Sequence, residues 1–195
     1  MLTRRVSLAL TFLGVSAAWS CVSPQVANPD EQIAQALAAA PEDKADGARI
    51  LGYATDGSVV EIRAGSNDFI CLASNPANER FSSSCYHGSL EPYFARGREL
   101  TAEGVSTEDR YRIRFEEMEA GILDMPVMSA TQYVFDGEWD SETATATGMV
   151  RWVIYVPGGT AESTGLSVVP QAGGPWIMDP GTPGAHIMIV PPRGG

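Results

Sequence analysis

The sequence predicts an α+β fold in which an antiparallel β-sheet is covered by two helices in a single small domain. Residues 48–54 and 58–64 are β-rich runs that flank an Asp-Gly turn, which is a strong hairpin signal. Two apolar stripes at helical spacing follow, and β-rich segments return after them. Strands, then helices, then strands again are typical of α+β domains.

The opening elements of this domain follow from alternation. Val60 and Ile62 alternate with Glu61 and Arg63, so we expect this run to bury one face and expose the other. A turn leads to a more buried strand at residues 69–73. We expect the three strands to form an antiparallel meander, followed by a polar loop at residues 74–88.

Two helices are expected next, and strands after them. Ser89 is a good cap for the first helix and Thr107 for the second. The remaining elements are strands at residues 130–135, 149–156, 166–169 and 185–190, with an acidic turn at residues 136–142. The carboxylates of that turn resemble a calcium loop, but the glycine and the closing glutamate are absent at the required offsets. The alternative is a solvated hairpin tip.

The amino terminus has the features of a secretory signal peptide at residues 1–20. Arg4 and Arg5 precede an apolar run at residues 6–15, and small residues follow. That run is shorter than the about 20 residues that a membrane span needs. We therefore expect an exported protein, either in the periplasm of a Gram-negative-type envelope or held at its membrane.

Three cysteines bear on this expectation. Cys21 follows the predicted cleavage site, and it is either the lipidated residue of a lipoprotein or a free thiol. We expect Cys71 and Cys85 to form a disulfide that fixes the polar loop, since an exported protein permits one. The alternative is a metal site of Cys71, Cys85 and His87, which lacks a fourth ligand and a common zinc spacing.

The rest of the chain is divided into a tether and a domain. Residues 21–47 are expected to be a tether with a possible short helix capped by Asp30, and residues 48–195 a single domain. The chain has 24 Asp and Glu against 13 Lys and Arg, a net charge of −11. This acidity argues against nucleic acid and anionic lipid as partners, so membrane contact is expected only through Cys21.

The carboxy-terminal region carries a resemblance. Residues 173–178 (Gly-Gly-Pro-Trp-Ile-Met), 181–183 (Gly-Thr-Pro) and 185–188 (Ala-His-Ile-Met) resemble the closing signature of an uncharacterised family of bacterial exported proteins. Residues 46–48 and 65–71 resemble the opening of that family. The resemblance covers about half of the mature chain and implies export and a common fold. It implies no activity.

The chemistry of the sequence is sparse. The chain has two histidines, His87 and His186, and it lacks a nucleophile elbow, a phosphate-binding glycine loop and a dinucleotide motif. The sequence predicts no catalytic residue, cofactor or metal site. We expect an envelope protein that binds a small molecule or a partner protein. The candidate ligand-binding residues are Trp176, Met178, Asp179 and His186. The alternative is a hydrolase or metal-dependent enzyme that uses His186 with nearby carboxylates.

Overall fold

The computed structural model describes residues 26–171 and 173–191, so the predicted signal peptide and Cys21 lie outside the described residues. The described chain forms one mostly antiparallel sheet of eight strands with helices packed against it, which confirms the α+β class and the single domain. The helices are α1 (Pro29–Leu37), α2 (Glu42–Ala45), α3 (Glu91–Ala102), α4 (Thr107–Glu119) and α5 (Ala161–Thr164). The strands are β1 (Arg49–Tyr53), β2 (Val59–Arg63), β3 (Phe69–Leu72), β4 (Phe81–His87), β5 (Ala130–Asp140), β6 (Thr145–Tyr155), β7 (Pro175–Met178) and β8 (His186–Ile189).

The strand order is β2-β1-β3-β4-β5-β6-β8-β7. The predicted hairpin of β1 and β2 is present, but the predicted meander is wrong at β3, which pairs with β1 in parallel. Parallel neighbours need a crossover of about a dozen residues or more. Here β2 and its two turns provide that crossover, so β2 lies at the edge of the sheet and β3 continues inward.

The two faces of the sheet bury different cores. Ile50 packs in one cluster with Ala36 of α1, whereas Leu51 packs in the other with Tyr93 of α3 and Met118 of α4. Successive residues of a strand point to opposite faces, so α1 covers one face and the α3–α4 pair covers part of the other. The prediction of two covering helices therefore omits α1.

Helix α1 lies in the segment that the sequence assigns to a tether. Ala36 is fully buried against the sheet. The side-chain amide of Gln32 donates to the carbonyl of Tyr53 (3.1 Å) and accepts from its N–H (2.7 Å). The packed part of the chain therefore begins before residue 48, because an amphipathic helix gains its stability from the surface it covers.

Strand β4 occupies about half of the segment predicted to be a polar loop. Its residues alternate between the faces, with Cys85 fully buried on the α1 face and Tyr86 buried on the α3–α4 face. The run of three serines at residues 82–84 hides the alternation in the sequence. This strand lies in the middle of the sheet, between β3 and β5.

The disulfide between Cys71 and Cys85 is present, as predicted. The two residues face each other directly in the β3–β4 ladder, and both are fully buried. Because their sulfurs are bonded to each other, the alternative metal site with His87 is wrong.

Strands β5 and β6 are longer than predicted and absorb most of the acidic turn. Asp136 belongs to β5 and forms an ion pair with Arg151 of β6 (2.8 Å). The strand predicted at residues 166–169 is reduced to a single bridge between Ser167 and Trp176. Among the described residues, no helix is both long enough and apolar enough to span a membrane.

Candidate functional site

The four candidate residues lie on the hairpin of β7 and β8 and its turn. Trp176 and Met178 are half-buried on one side of β7, where they pair with Met188 and His186 of β8. Ile177, which lies between them, points to the opposite face and is buried. Trp176 and Met178 thus share a face, as their alternation predicts.

His186 is held by its own turn. The residue is 7% exposed, and its Nδ1 donates to the carbonyl oxygen of Gly184 at 2.8 Å. A carbonyl oxygen can only accept, so Nδ1 carries the proton. Asp179 Oδ2 is 4.0 Å from the same nitrogen. This geometry is the one expected of a histidine that fixes a turn.

Asp179 is held from the opposite side by helix α4. The hydroxyl of Tyr111 donates to Asp179 Oδ2 at 2.8 Å. Asp179 has a φ of 50°, a left-handed conformation that Asp adopts more readily than most residues. Its carbonyl oxygen accepts hydrogen bonds from Thr182, which closes the turn. The sequence could not predict the contact with Tyr111, because 68 residues separate the two.

Aromatic rings fill the space around this pair. The ring of Tyr155 lies 5.2 Å from that of His186, and the guanidinium of Arg114 lies 4.1 Å from the centre of the Tyr93 ring. Burial raises the pKa of Tyr93 and of Tyr155, and burial together with the bond to Asp179 raises that of Tyr111. The three hydroxyls therefore stay protonated near neutral pH, and none of them supplies a base.

His87 and His186 do not meet. They lie on β4 and β8, which β5 and β6 separate, so the strands are roughly 14 Å apart at a spacing of about 4.8 Å. His87 Nδ1 accepts a hydrogen bond from the backbone N–H of Ser89 instead. Within residues 26–171 and 173–191, no cluster of three or more His, Cys, Asp or Glu side chains could hold a metal ion.

A groove of about 820 Å³ lies elsewhere, where the α3–α4 face of the sheet is left uncovered. Its floor is formed by alternating residues of four strands, and α3 and the β1–β2 hairpin form its walls. The floor residues are Leu51, Leu72, Ser82, Ser84, Gln132 and Val134. Half of these are apolar and half can form hydrogen bonds, so the floor suits an amphipathic ligand.

A bonded network fixes one wall of the groove. Arg98 donates to Glu91 (2.6 Å) and to the hydroxyl of Tyr86 (2.9 Å), and that hydroxyl donates to Glu91 (2.7 Å). Burial raises the pKa of Tyr86, so its hydroxyl remains a donor. The opposite wall has a second ion pair, between Arg49 and Glu61. Both walls therefore present a guanidinium and a carboxylate.

Local sequence patterns do not predict this groove. Its residues come from distant segments, and only the serines of β4 leave a local signal. Small polar residues at alternate positions of a central strand indicate a face that no helix covers, but that signal requires the segment to be recognised as a strand.

The groove and the aromatic cluster around His186 are separate. None of the four predicted ligand-binding residues lines the groove, and the structure brings Asp179 and His186 together in a packed turn. Comparison of the chain with protein-family models, with curated proteins and with solved structures found no match.

Proposed function

We propose that the protein binds a small molecule in the groove on the α3–α4 face and performs no catalysis there. The observation that supports this is the size and chemistry of the groove. Its volume of about 820 Å³ falls in the usual range for small-molecule sites, which are concave and mostly apolar with a few placed polar groups. The fixed network of Arg98, Glu91 and Tyr86 provides such groups.

The ligand expected from this lining is amphipathic and carries hydrogen-bonding groups. Leu51, Leu72 and Val134 offer apolar contact. Ser84 and Gln132 form no side-chain hydrogen bond to another described residue, so their donors and acceptors remain for a ligand. The charges on the walls balance, so the groove favours neither a strong cation nor a strong anion.

A fluorescent probe tests the proposal. Anilinonaphthalene sulfonate combines apolar rings with one anionic group, and its emission rises in apolar surroundings. We expect it to bind the protein and expect Ser84→Trp, which fills the floor, to weaken binding by about tenfold or more, a loss of about 1.4 kcal/mol. Thr147→Trp, an exposed strand position outside the groove, should bind as the unaltered protein does. Equal binding by both variants would contradict the proposal.

A second candidate function is binding of a partner protein at an exposed apolar patch. The segment between α4 and β5 exposes Ile122, Val127 and Met128, and Val127 is 98% exposed. Leu123 and Met125 of the same segment pack into the core, so the exposed side chains have a fixed base. Exposed apolar patches of this kind mark interaction surfaces. The variant Val127→Ser with Met128→Ser separates probe binding at this patch from binding in the groove.

The enzyme alternative has one supporting observation, the 4.0 Å distance between Asp179 and His186. A catalytic base must reach the proton that it abstracts. Here Nδ1 is already bonded to Gly184, and the ring is buried and lies against Tyr155. We therefore place the binding function first.

For the compartment, we propose export with cleavage after residue 20, followed either by release into the periplasm or by lipidation of Cys21. The buried disulfide is compatible with export. Replacing Cys21 with Ala and fractionating cells tests the anchor. A lipoprotein should move from the membrane fraction to the released fraction, and retention of Cys21→Ala at the membrane would indicate a different anchor.

We also propose that the chain belongs with the exported proteins whose closing signature it resembles. The signature spans β7, the turn at Asp179 and β8, so each of its segments forms part of one hairpin. Gly181 has a φ of 81°, and Gly184 lies where a Cβ would press on Phe115 and Met118 of α4. A second chain with this signature and the same β7–β8 hairpin packed on an equivalent helix would support the proposal.

A further inference from the structure

A second, smaller pocket lies between α1 and the segment that joins β3 to β4. Its volume is about 180 Å³, and its lining residues come from the start of the described chain, from α1 and from residues 74–81. It shares Asn75 and Asn78 with the groove. Unlike the groove, it is bordered on one side by the α1 face of the sheet, through Phe81.

Gln35 is a pocket residue whose side chain has no hydrogen-bond partner among the described residues. It is 9% exposed, it lines the pocket, and its side-chain amide makes no hydrogen bond to any residue in 26–171 or 173–191. Gln32, one turn earlier, shows the contrast: its amide is fully engaged with backbone groups of Ala27 and Tyr53. The amide atoms of Gln35 are not sealed off from solvent, and the residue lines the pocket, so its donor and acceptor remain for a ligand there.

The charge of the pocket indicates what the partner is. The chain carries 24 acidic residues, yet none of the residues that line the pocket is acidic. Arg80 is the one cationic side chain in the lining, and it forms no ion pair with a described residue. The amide of Asn78 adds a further donor. The pocket is thus rich in donors and free of carboxylates, which is the environment that a carboxylate ligand requires.

We propose that this pocket binds the carboxylate of a small organic acid. The amide of Gln35 and the guanidinium of Arg80 donate to the carboxylate, and Asn78 lies at the rim. Phe81 and Pro76 contact the carbon chain of the acid. The volume of about 180 Å³ restricts the ligand to a short chain, since sites for drug-sized molecules begin at about 300 Å³.

Nuclear magnetic resonance of the side-chain amides tests the proposal directly. The amide signal of Gln35 in isotope-labelled protein is assigned by its loss in Gln35→Glu, which keeps the shape of the side chain and adds a negative charge. Sodium propionate should shift this signal in a saturable way. Sodium chloride at equal ionic strength should leave it unmoved, and propionamide should shift it less. Gln35→Glu should no longer bind propionate, as judged from the backbone amide of Arg80.

Two arginine variants distinguish a site from general attraction between charges. Arg80→Leu should weaken the apparent affinity for propionate by about tenfold or more, because a charge-assisted hydrogen bond is lost. Arg112→Leu makes the same change of charge on the exposed side of α4 and should have no effect. Equal weakening by both variants, or a propionate shift no larger than that of chloride, would overturn the proposal.

The chain itself is the remaining candidate occupant, because Val26 and Ala27 line the pocket. A chain that begins at Val26, with its amino terminus acetylated so that it adds no charge to the pocket, should give the same Gln35 signal as the longer protein without ligand and the same response to propionate. A Gln35 signal that moves on shortening, with no further response to propionate in the longer protein, would show that the preceding residues fill the pocket, and it would overturn the proposal.

Discussion

Replacing His186 with Ala tests the structural role of the signature histidine. The change removes the hydrogen bond from Nδ1 to the carbonyl of Gly184 (2.8 Å) and the packing against Tyr155. An unpaired buried polar group costs about 1–3 kcal/mol. For a domain of this size, each kcal/mol shifts the thermal midpoint by about 2–4 °C, so the midpoint should fall by about 2–12 °C.

Thermal unfolding followed by circular dichroism measures this shift, and two variants control it. His87→Ala removes the other histidine, whose ring only caps a short turn at Ser89, and should cost about 1 kcal/mol or less. Asp179→Asn keeps an acceptor for Tyr111 and tolerates the positive φ, so it should stay within about 0.5 kcal/mol. A larger loss in Asp179→Asn than in His186→Ala would indicate that the charge pair, and not the turn, stabilises the site.

The opposite outcome has a definite meaning. If His186→Ala has the same thermal midpoint as the unaltered protein, the hydrogen bond to Gly184 makes no measurable contribution to stability. The assignment of a structural role to His186 is then refuted. The enzyme proposal would then take first place, and the search for a substrate would begin at Asp179.

Four further results are expected. A chain that begins at Ala48 lacks α1 and should aggregate on expression, because the α1 face loses its cover; a well-dispersed monomer in gel filtration would refute this. Replacing Cys71 and Cys85 together by Ala should lower the free energy of unfolding by about 3 kcal/mol, the value for a loop of about 15 residues, measured in urea. Gly137→Ala should cost about 1–3 kcal/mol, since its Cβ would press on a carbonyl oxygen of β6, with Gly174→Ala, whose Cβ would meet only Gln171 at 3.5 Å, as the comparison. Burial raises the pKa of Tyr86 above its unfolded value of about 10. The free energy of unfolding should therefore fall as the pH rises above about 10, and this fall should be smaller in Tyr86→Phe. The same alkaline dependence of the thermal midpoint in Tyr86→Phe and in the unaltered protein would contradict this.

The sequence predicted the elements whose pattern is local. The Asp-Gly turn between β1 and β2 and the apolar stripe of α4 each lie within about 15 residues, and periodicity detects such features. The disulfide followed from counting cysteines, and its partners turned out to be opposed in a ladder.

The features that the sequence missed depend on distant contacts. The sequence predicts a loop at β4 because the serines of this strand face an open groove on one side and a buried core on the other, so the strand shows no hydrophobic alternation. The pairing of β1 with β3 depends on which edge of the hairpin is free, and no local signal encodes that. The contact of Asp179 with Tyr111 and the pocket at Gln35 also join segments far apart in the chain.

The single parallel pair in the sheet has a consequence for the order of assembly. Strands β3, β4, β5 and β6 are joined in sequence order by antiparallel ladders, although the two helices between β4 and β5 make one of these closures long. β1 can pair with β3 only when the β1–β2 hairpin is oriented with β2 on the outer side. Helix α1 packs against both β1 and β4, so it requires both strands to be in place. Non-local contacts form late, because the chain loses conformational entropy on closing the loop before these contacts stabilise it. We therefore expect β1, β2 and α1 to join last, as one unit, with hydrogen exchange fastest in that unit and slowest in β4 and β5.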